Sequence, residues 1–80
     1  MDDRDLVQRI SELADREHQL ETAHGAEGLD ADEQARLLEI EVALDQCWDL
    51  LRQRRARRNA GQDPDDAEVR PPGTVEGYQQ

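Results

Sequence analysis

Apolar residues recur at alternating steps of four and three along the first part of this chain, and this repeat most constrains its fold. They fall at Leu6, Ile10, Leu13 and Leu20, while the charged or polar residues Glu17 and His24 occupy the remaining steps. Because such a repeat places side chains on one side of an α-helix, it predicts a coiled-coil-like helix over about residues 3–23.

A chain reversal and a second helix follow. Gly25, in the stretch HGAEGL, is placed to close the first helix in a left-handed cap. Asp30, with Glu33 three residues later, has the spacing of a capping box and opens a helix predicted over about residues 31–58. The sequence therefore predicts an antiparallel helical hairpin over residues 1–60.

The second helix carries two apolar stripes. The seam toward the first helix comprises Leu37, Ile40, Leu44, Cys47 and Leu51, broadened by Trp48. A second stripe, about 120–180° around from Leu44, comprises Ala35, Leu38 and Val42. The chain is 35% apolar and has no Phe, too little core for a hairpin to offset its conformational entropy alone. We therefore expect an all-α protein that dimerises into a four-helix bundle or binds another protein.

Residues 61–80 contain three prolines and scattered acids without periodicity. This composition predicts an acidic, proline-containing arm that is irregular, a loop or disordered. Val69, Val75 and Tyr78 are its candidates for docking, which would make the arm an ordered strap over the helices.

Five arginines close the second helix: Arg52, Arg54, Arg55, Arg57 and Arg58. At 1.5 Å per residue the two helices are about 29 and 42 Å long, so this arginine cluster is predicted to project beyond the first helix. The net charge is −10 and DPDDAE follows the cluster. We predict that the arginines pair chiefly with acids of their own tail or of a neighbouring chain and complement the helix dipole. The alternative is nucleic-acid contact, as in a ribosome- or polymerase-associated accessory protein.

The run LDQCWDLLRQRRARRNAGQDPDDAEVRP, the closing VEGYQQ and the stretch REHQLE resemble a small actinobacterial family known as domain of unknown function 2630. The likeness covers essentially the whole chain. The resemblance implies a stand-alone small protein and carries no implication for catalysis.

A metal site is the second alternative. Glu21 and His24 have the Glu-x-x-His spacing, and two hairpins that each added a carboxylate from the second helix could build a di-metal centre. The position of these residues beside Gly25, at a fraying helix end, favours a solvated or capping histidine instead. No metal or cofactor is therefore predicted.

Two further residues are of types that can carry chemistry, a cysteine and a glutamate. Cys47 is expected to be a buried, inert thiol, its pKa raised by Asp45 and Asp49. Glu17 lies at a seam position, where its carboxylate must either pair with an arginine or remain in contact with water, because an unpaired buried charge is unfavourable. It has no companion nucleophile or phosphate-binding loop, so no enzymatic activity is predicted.

The single cysteine and the absence of a basic, apolar leader favour a reducing cytoplasm, and no apolar run is long enough for a membrane span. The predicted function is a cytoplasmic protein–protein interaction module that self-associates through its heptad seams. The candidate interaction residues are Leu38, Val42, Trp48, Arg52, Arg54, Arg55, Arg57 and Arg58.

Overall fold

The computed structural model describes residues 2–22 and 28–77. They form a long helix α1 (Asp3–Thr22), a longer helix α2 (Ala31–Asn59), a 3₁₀ turn (Pro64–Asp66) and a short helix α3 (Pro72–Gly77). No strand occurs in these two ranges, and the two long helices pack together, which confirms the all-α prediction. The predicted cap at Gly25 lies outside the described residues.

Local capping signals set both ends of α2. Asp30 Oδ1 accepts a hydrogen bond from the Glu33 backbone N–H at 2.8 Å, and the Asp30 N–H donates to Glu33 Oε1 at 3.2 Å. The predicted capping box is thus confirmed. Beyond the helix, Gly61 adopts φ 75°, a left-handed conformation that costs little without a Cβ.

The core lies between the two long helices. Leu6, Ile10, Leu50 and Leu51 form a buried cluster, with Leu44, Cys47 and Ala67 packed against it. Leu6, near the start of α1, meets the last third of α2, so the helices run antiparallel. Leu50 was missing from the predicted seam, and it is buried in this cluster, against which Ala67 of the C-terminal segment also packs.

Residues 62–77, here called the strap, fold back over α2. The strap contains the 3₁₀ turn and α3, both of which contact α2, and Val75 is fully buried. Residues 62–77 therefore adopt the ordered strap that the sequence analysis gave as the alternative to a loop or disordered arm, and polar contacts with α2 hold the strap in place. Val69 is exposed, and Tyr78 lies outside the described residues.

The arginine cluster does not project beyond α1 as predicted. Arg54 is buried and binds Asp3, the first residue of α1, which Arg58 also reaches. The start of α1 therefore lies level with the end of α2. Because α2 has 29 residues and α1 has 20, the excess length of α2 falls at the connecting end.

Candidate interaction surface

Arg54 joins three parts of the chain. Its Nε donates to Asp3 Oδ1 at 2.7 Å, and its Nη1 donates to Asp65 Oδ1 at 2.9 Å and to the Pro64 carbonyl at 3.2 Å. The hydrogen bond from Arg54, with a second from Arg58, holds the pKa of Asp3 below its usual value despite partial burial. The contact with Asp65 is the tail pairing predicted for the cluster, whereas the contact with Asp3 was not predicted.

Asp49 anchors the strap to α2. Its carboxylate accepts hydrogen bonds from Nε and Nη2 of Arg70, at 2.9 and 2.5 Å, and from Nε2 of Gln53 at 2.9 Å. Two α2 amides also bind strap carbonyls: Gln53 Nε2 lies 2.9 Å from Glu68 O, and Gln46 Nε2 lies 3.2 Å from Arg70 O. The hydrogen bonds from Arg70 lower the pKa of Asp49 although burial opposes this.

The other members of the arginine cluster differ from Arg54 and Arg58. Arg52 and Arg55 are exposed, Arg57 is half-buried, and none of them forms an ion pair with a described residue. The structure thus divides the cluster into two structural arginines and three that remain available to a partner.

One side of the hairpin exposes apolar side chains. Residues seven apart on a helix differ by only about 20° in direction. Val7, Ala14 and Glu21 therefore share one side of α1, and Glu41, Trp48 and Arg55 share one side of α2. The carboxylates of Glu21 and Glu41 converge, so both sets lie on the same side of the hairpin, here called the Trp48 face.

Trp48 and Val7 are the large apolar side chains of the Trp48 face, 45% and 49% exposed. Trp48 was predicted to broaden the seam toward α1, and its exposure corrects that prediction. The seven-residue spacing of Glu41, Trp48 and Arg55 is a sequence signal that could have indicated this surface, and the sequence predictions did not use it.

Three carboxylates gather at one end of the Trp48 face. One oxygen from each of Glu17, Glu21 and Glu41 lies within 4.8 Å of the others. Glu17 is half-buried while Glu21 and Glu41 are exposed, and none of the three forms an ion pair with a described residue. The predicted partner in a metal site, His24, lies outside the described residues.

The second predicted stripe lies on another side of α2. Leu38 is 61% exposed, Ala35 is exposed and Val42 is half-buried. Steps of four, three and four residues lead from Leu38 through Val42 and Asp45 to Asp49, so the strap docks on the continuation of this stripe. The chain's own tail therefore takes up part of a side that the sequence assigned to a partner.

An acidic contact flanks the strap at α3. A hydrogen bond with the Asp45 carboxyl raises the pKa of Glu76, and burial and the charges of Asp45 and Glu41 act in the same direction. Oε1 of Glu76 is buried and has no hydrogen-bond partner among the described residues. Docking this end of the strap therefore places Glu76 close to two other acids, an arrangement that is unfavourable when all three are ionised.

Cys47 is a free, half-buried thiol. Burial raises its pKa, and the charge of Arg9 opposes that shift. The direction agrees with the prediction, but the cause is burial rather than Asp45 and Asp49. A thiol whose pKa is raised is mostly protonated at neutral pH and therefore a poor nucleophile.

Together these features define a small all-α protein, a helical hairpin locked by its own C-terminal strap. The chain belongs to the family described as Protein of unknown function (DUF2630), whose model matches residues 2–80. The family resemblance predicted from CWDLLRQRRARR and the residues around it is thereby confirmed.

Similar proteins occur in mycobacteria. "Uncharacterized protein Rv0898c" of Mycobacterium tuberculosis and "Uncharacterized protein Mb0922c" of Mycobacterium bovis are each 61% identical to the chain over 49 residues. That stretch is 61% of this chain and 56% of each relative, so the match spans little more than half of the curated relatives' length. No solved structure matches the chain.

Neither long helix, nor any other helix in residues 2–22 and 28–77, has the length and apolar character needed to cross a membrane.

Proposed function

We propose that this protein is a non-enzymatic protein–protein interaction module that binds its partner through the Trp48 face. The observation that carries the proposal is the exposure of Trp48 and Val7 on one side of the hairpin. Tryptophan in the middle of a contact surface often contributes more binding energy than its neighbours, because it removes a large apolar area from water.

The strap supports this role by fixing α2. The Asp49–Arg70 pair and the two glutamine contacts tie residues 62–77 to the back of the helix that carries Trp48. A surface that is rigid before binding loses less conformational entropy in the complex. The strap thus stabilises α2 while Trp48 and Val7 stay exposed.

The nucleic-acid alternative has less support. Arg54 and Arg58 are held by Asp3, which leaves Arg52, Arg55 and Arg57 from the cluster. Affinity for a phosphate backbone grows with the number of phosphates neutralised, and the chain carries twenty acids against ten arginines. Protein contact is therefore the better account of the available arginines.

Capture from a lysate of the native host tests the proposal, with wild type, Trp48→Glu and Val69→Glu as baits and with nuclease added to half of each sample. Trp48→Glu should lose the proteins that wild type retains, and nuclease should not release them. Val69→Glu is the matched control, since Val69 is an exposed apolar residue of the strap. Equal recovery by wild type and Trp48→Glu, or release by nuclease, would exclude the proposed function.

A further inference from the structure

We infer that the partner of the Trp48 face is a second copy of this chain, with the two α2 helices antiparallel about a two-fold axis at Trp48. The inference rests on the proposed function and names its partner. Three features carry it: the symmetric spacing of charges around Trp48, the absence of ion-pair partners for those charges among the described residues, and the apolar centre between them.

The spacing is self-complementary. Glu41 precedes Trp48 by seven residues and Arg55 follows it by seven, so each lies about 10.5 Å along α2 from the tryptophan, in opposite directions. A two-fold axis makes the same patch meet itself in reverse. With antiparallel α2 helices, the axis brings Glu41 of each copy opposite Arg55 of the other.

Neither Glu41 nor Arg55, at the two ends of the Trp48 face, forms an ion pair within residues 2–22 and 28–77. Arg55 is exposed. Glu41 lies in the carboxylate group with Glu17 and Glu21, whose oxygens are within 4.8 Å of one another. Negative charges at such short distances repel each other. The guanidinium of Arg55 from the other copy would relieve this repulsion through charge-assisted hydrogen bonds.

The centre of the face is apolar. Trp48 of each copy lies at the axis, and Val7 lies on the same side of the hairpin; both would lose their exposed area on pairing. Two hairpins placed in this way make a four-helix arrangement, which gives a 9.2 kDa chain the additional core that such small proteins commonly gain by oligomerisation. With the strap docked, Trp48 and Val7 remain 45% and 49% exposed, so the strap does not cover the apolar centre of the contact.

Sedimentation equilibrium over a dilution series tests the dimer with charge-swapped variants of the full chain. Wild type should move from twice 9.2 kDa toward 9.2 kDa on dilution. Arg55→Glu and Glu41→Arg should each raise the dissociation constant about tenfold or more, because each change replaces two attractive contacts with repulsive ones. The double variant Glu41→Arg/Arg55→Glu should restore the dissociation constant to within about threefold of wild type.

Arg57→Glu is the matched control. Arg57 carries the same charge two residues further on, about 200° around the helix, and should leave the dissociation constant unchanged. Far-UV circular dichroism of each variant separates lost pairing from lost folding. Rescue by the double variant supports the contact independently of folding, since a damaged fold would not recover.

A wild-type mass that stays at 9.2 kDa at every concentration would overturn the inference, as would single variants that dimerise like wild type or a double variant that fails to recover. These failures differ from failure of the proposed function. If wild type is monomeric but captures proteins that Trp48→Glu does not, the dimer is excluded. The proposed function then stands, with a different protein as the partner.

Discussion

Asp49 in α2 and Arg70 in the strap form a bidentate ion pair although 21 residues separate them in sequence. Asp49 is only 1% exposed, so its carboxylate has left water almost completely. An uncompensated buried charge is strongly unfavourable, and here Arg70 and Gln53 supply the compensating hydrogen bonds. The pair therefore couples the position of the strap to the stability of α2.

Replacing Arg70 with Ala should destabilise the fold by about 1–2 kcal/mol. Loss of one partner from a fully buried ion pair costs roughly 3–5 kcal/mol. We expect a smaller loss here because the Arg70 side chain is 35% exposed, so water already screens the pair. Thermal unfolding should show a midpoint about 4–8 °C lower for each kcal/mol. Arg57→Ala, which removes an arginine without an ion pair to the described residues, is the control. Equal midpoints for Arg70→Ala and wild type would show that the pair does not hold the strap.

Ending the chain after Gly61 should lower the unfolding midpoint further than Arg70→Ala. The truncation removes the Arg70 anchor, the buried side chain of Val75 and the packing of Ala67 against the core cluster. A measurable drop of several degrees is expected, because about 1 kcal/mol shifts the midpoint of so small a domain by roughly 4–8 °C. If the shortened chain unfolds at the temperature of the full chain, the strap contributes no stability.

Glu76→Gln should stabilise the protein at pH 7 and have little effect near pH 4. The raised pKa of Glu76 means that the folded chain holds this proton more tightly than the unfolded chain does. Its ionised form therefore destabilises the fold above the raised pKa, and the penalty disappears as pH falls through that pKa. Thermal unfolding of both proteins from pH 7 to pH 4 measures the difference, with Glu68→Gln, an exposed strap position, as control. A difference that does not depend on pH would refute this assignment.

The sequence predicted the elements whose signals are local. The heptad steps of α1 and the capping box of Asp30 and Glu33 act over three or four residues, so they are visible without the fold. The contact of Arg54 with Asp3 joins residues 51 apart, and no local spacing indicates it. The position of the arginine cluster was predicted wrongly because the lengths of α1 and α2 do not determine which of their ends are level.

The strap was harder to predict for the same physical reason. Its docking depends on Arg70 reaching a carboxylate on α2 and on side-chain amides of Gln46 and Gln53 that bind strap carbonyls. An acidic, proline-containing segment without periodicity resembles a disordered one in composition, since its polar anchors are distributed over two elements. The docking residue Val75 was identified as a candidate, but composition alone favoured an irregular arm.

Emission from Trp48 over a dilution series shows whether two copies of the chain pair through the Trp48 face. Trp48 is the only tryptophan, so its emission reports on the Trp48 face alone. A tryptophan that leaves water emits at shorter wavelength, and the account predicts that dilution moves the emission to longer wavelength over the same concentrations at which the sedimenting mass falls toward 9.2 kDa. An emission spectrum that stays constant while the mass changes would contradict it, because the chains would then associate through a surface that leaves Trp48 in water.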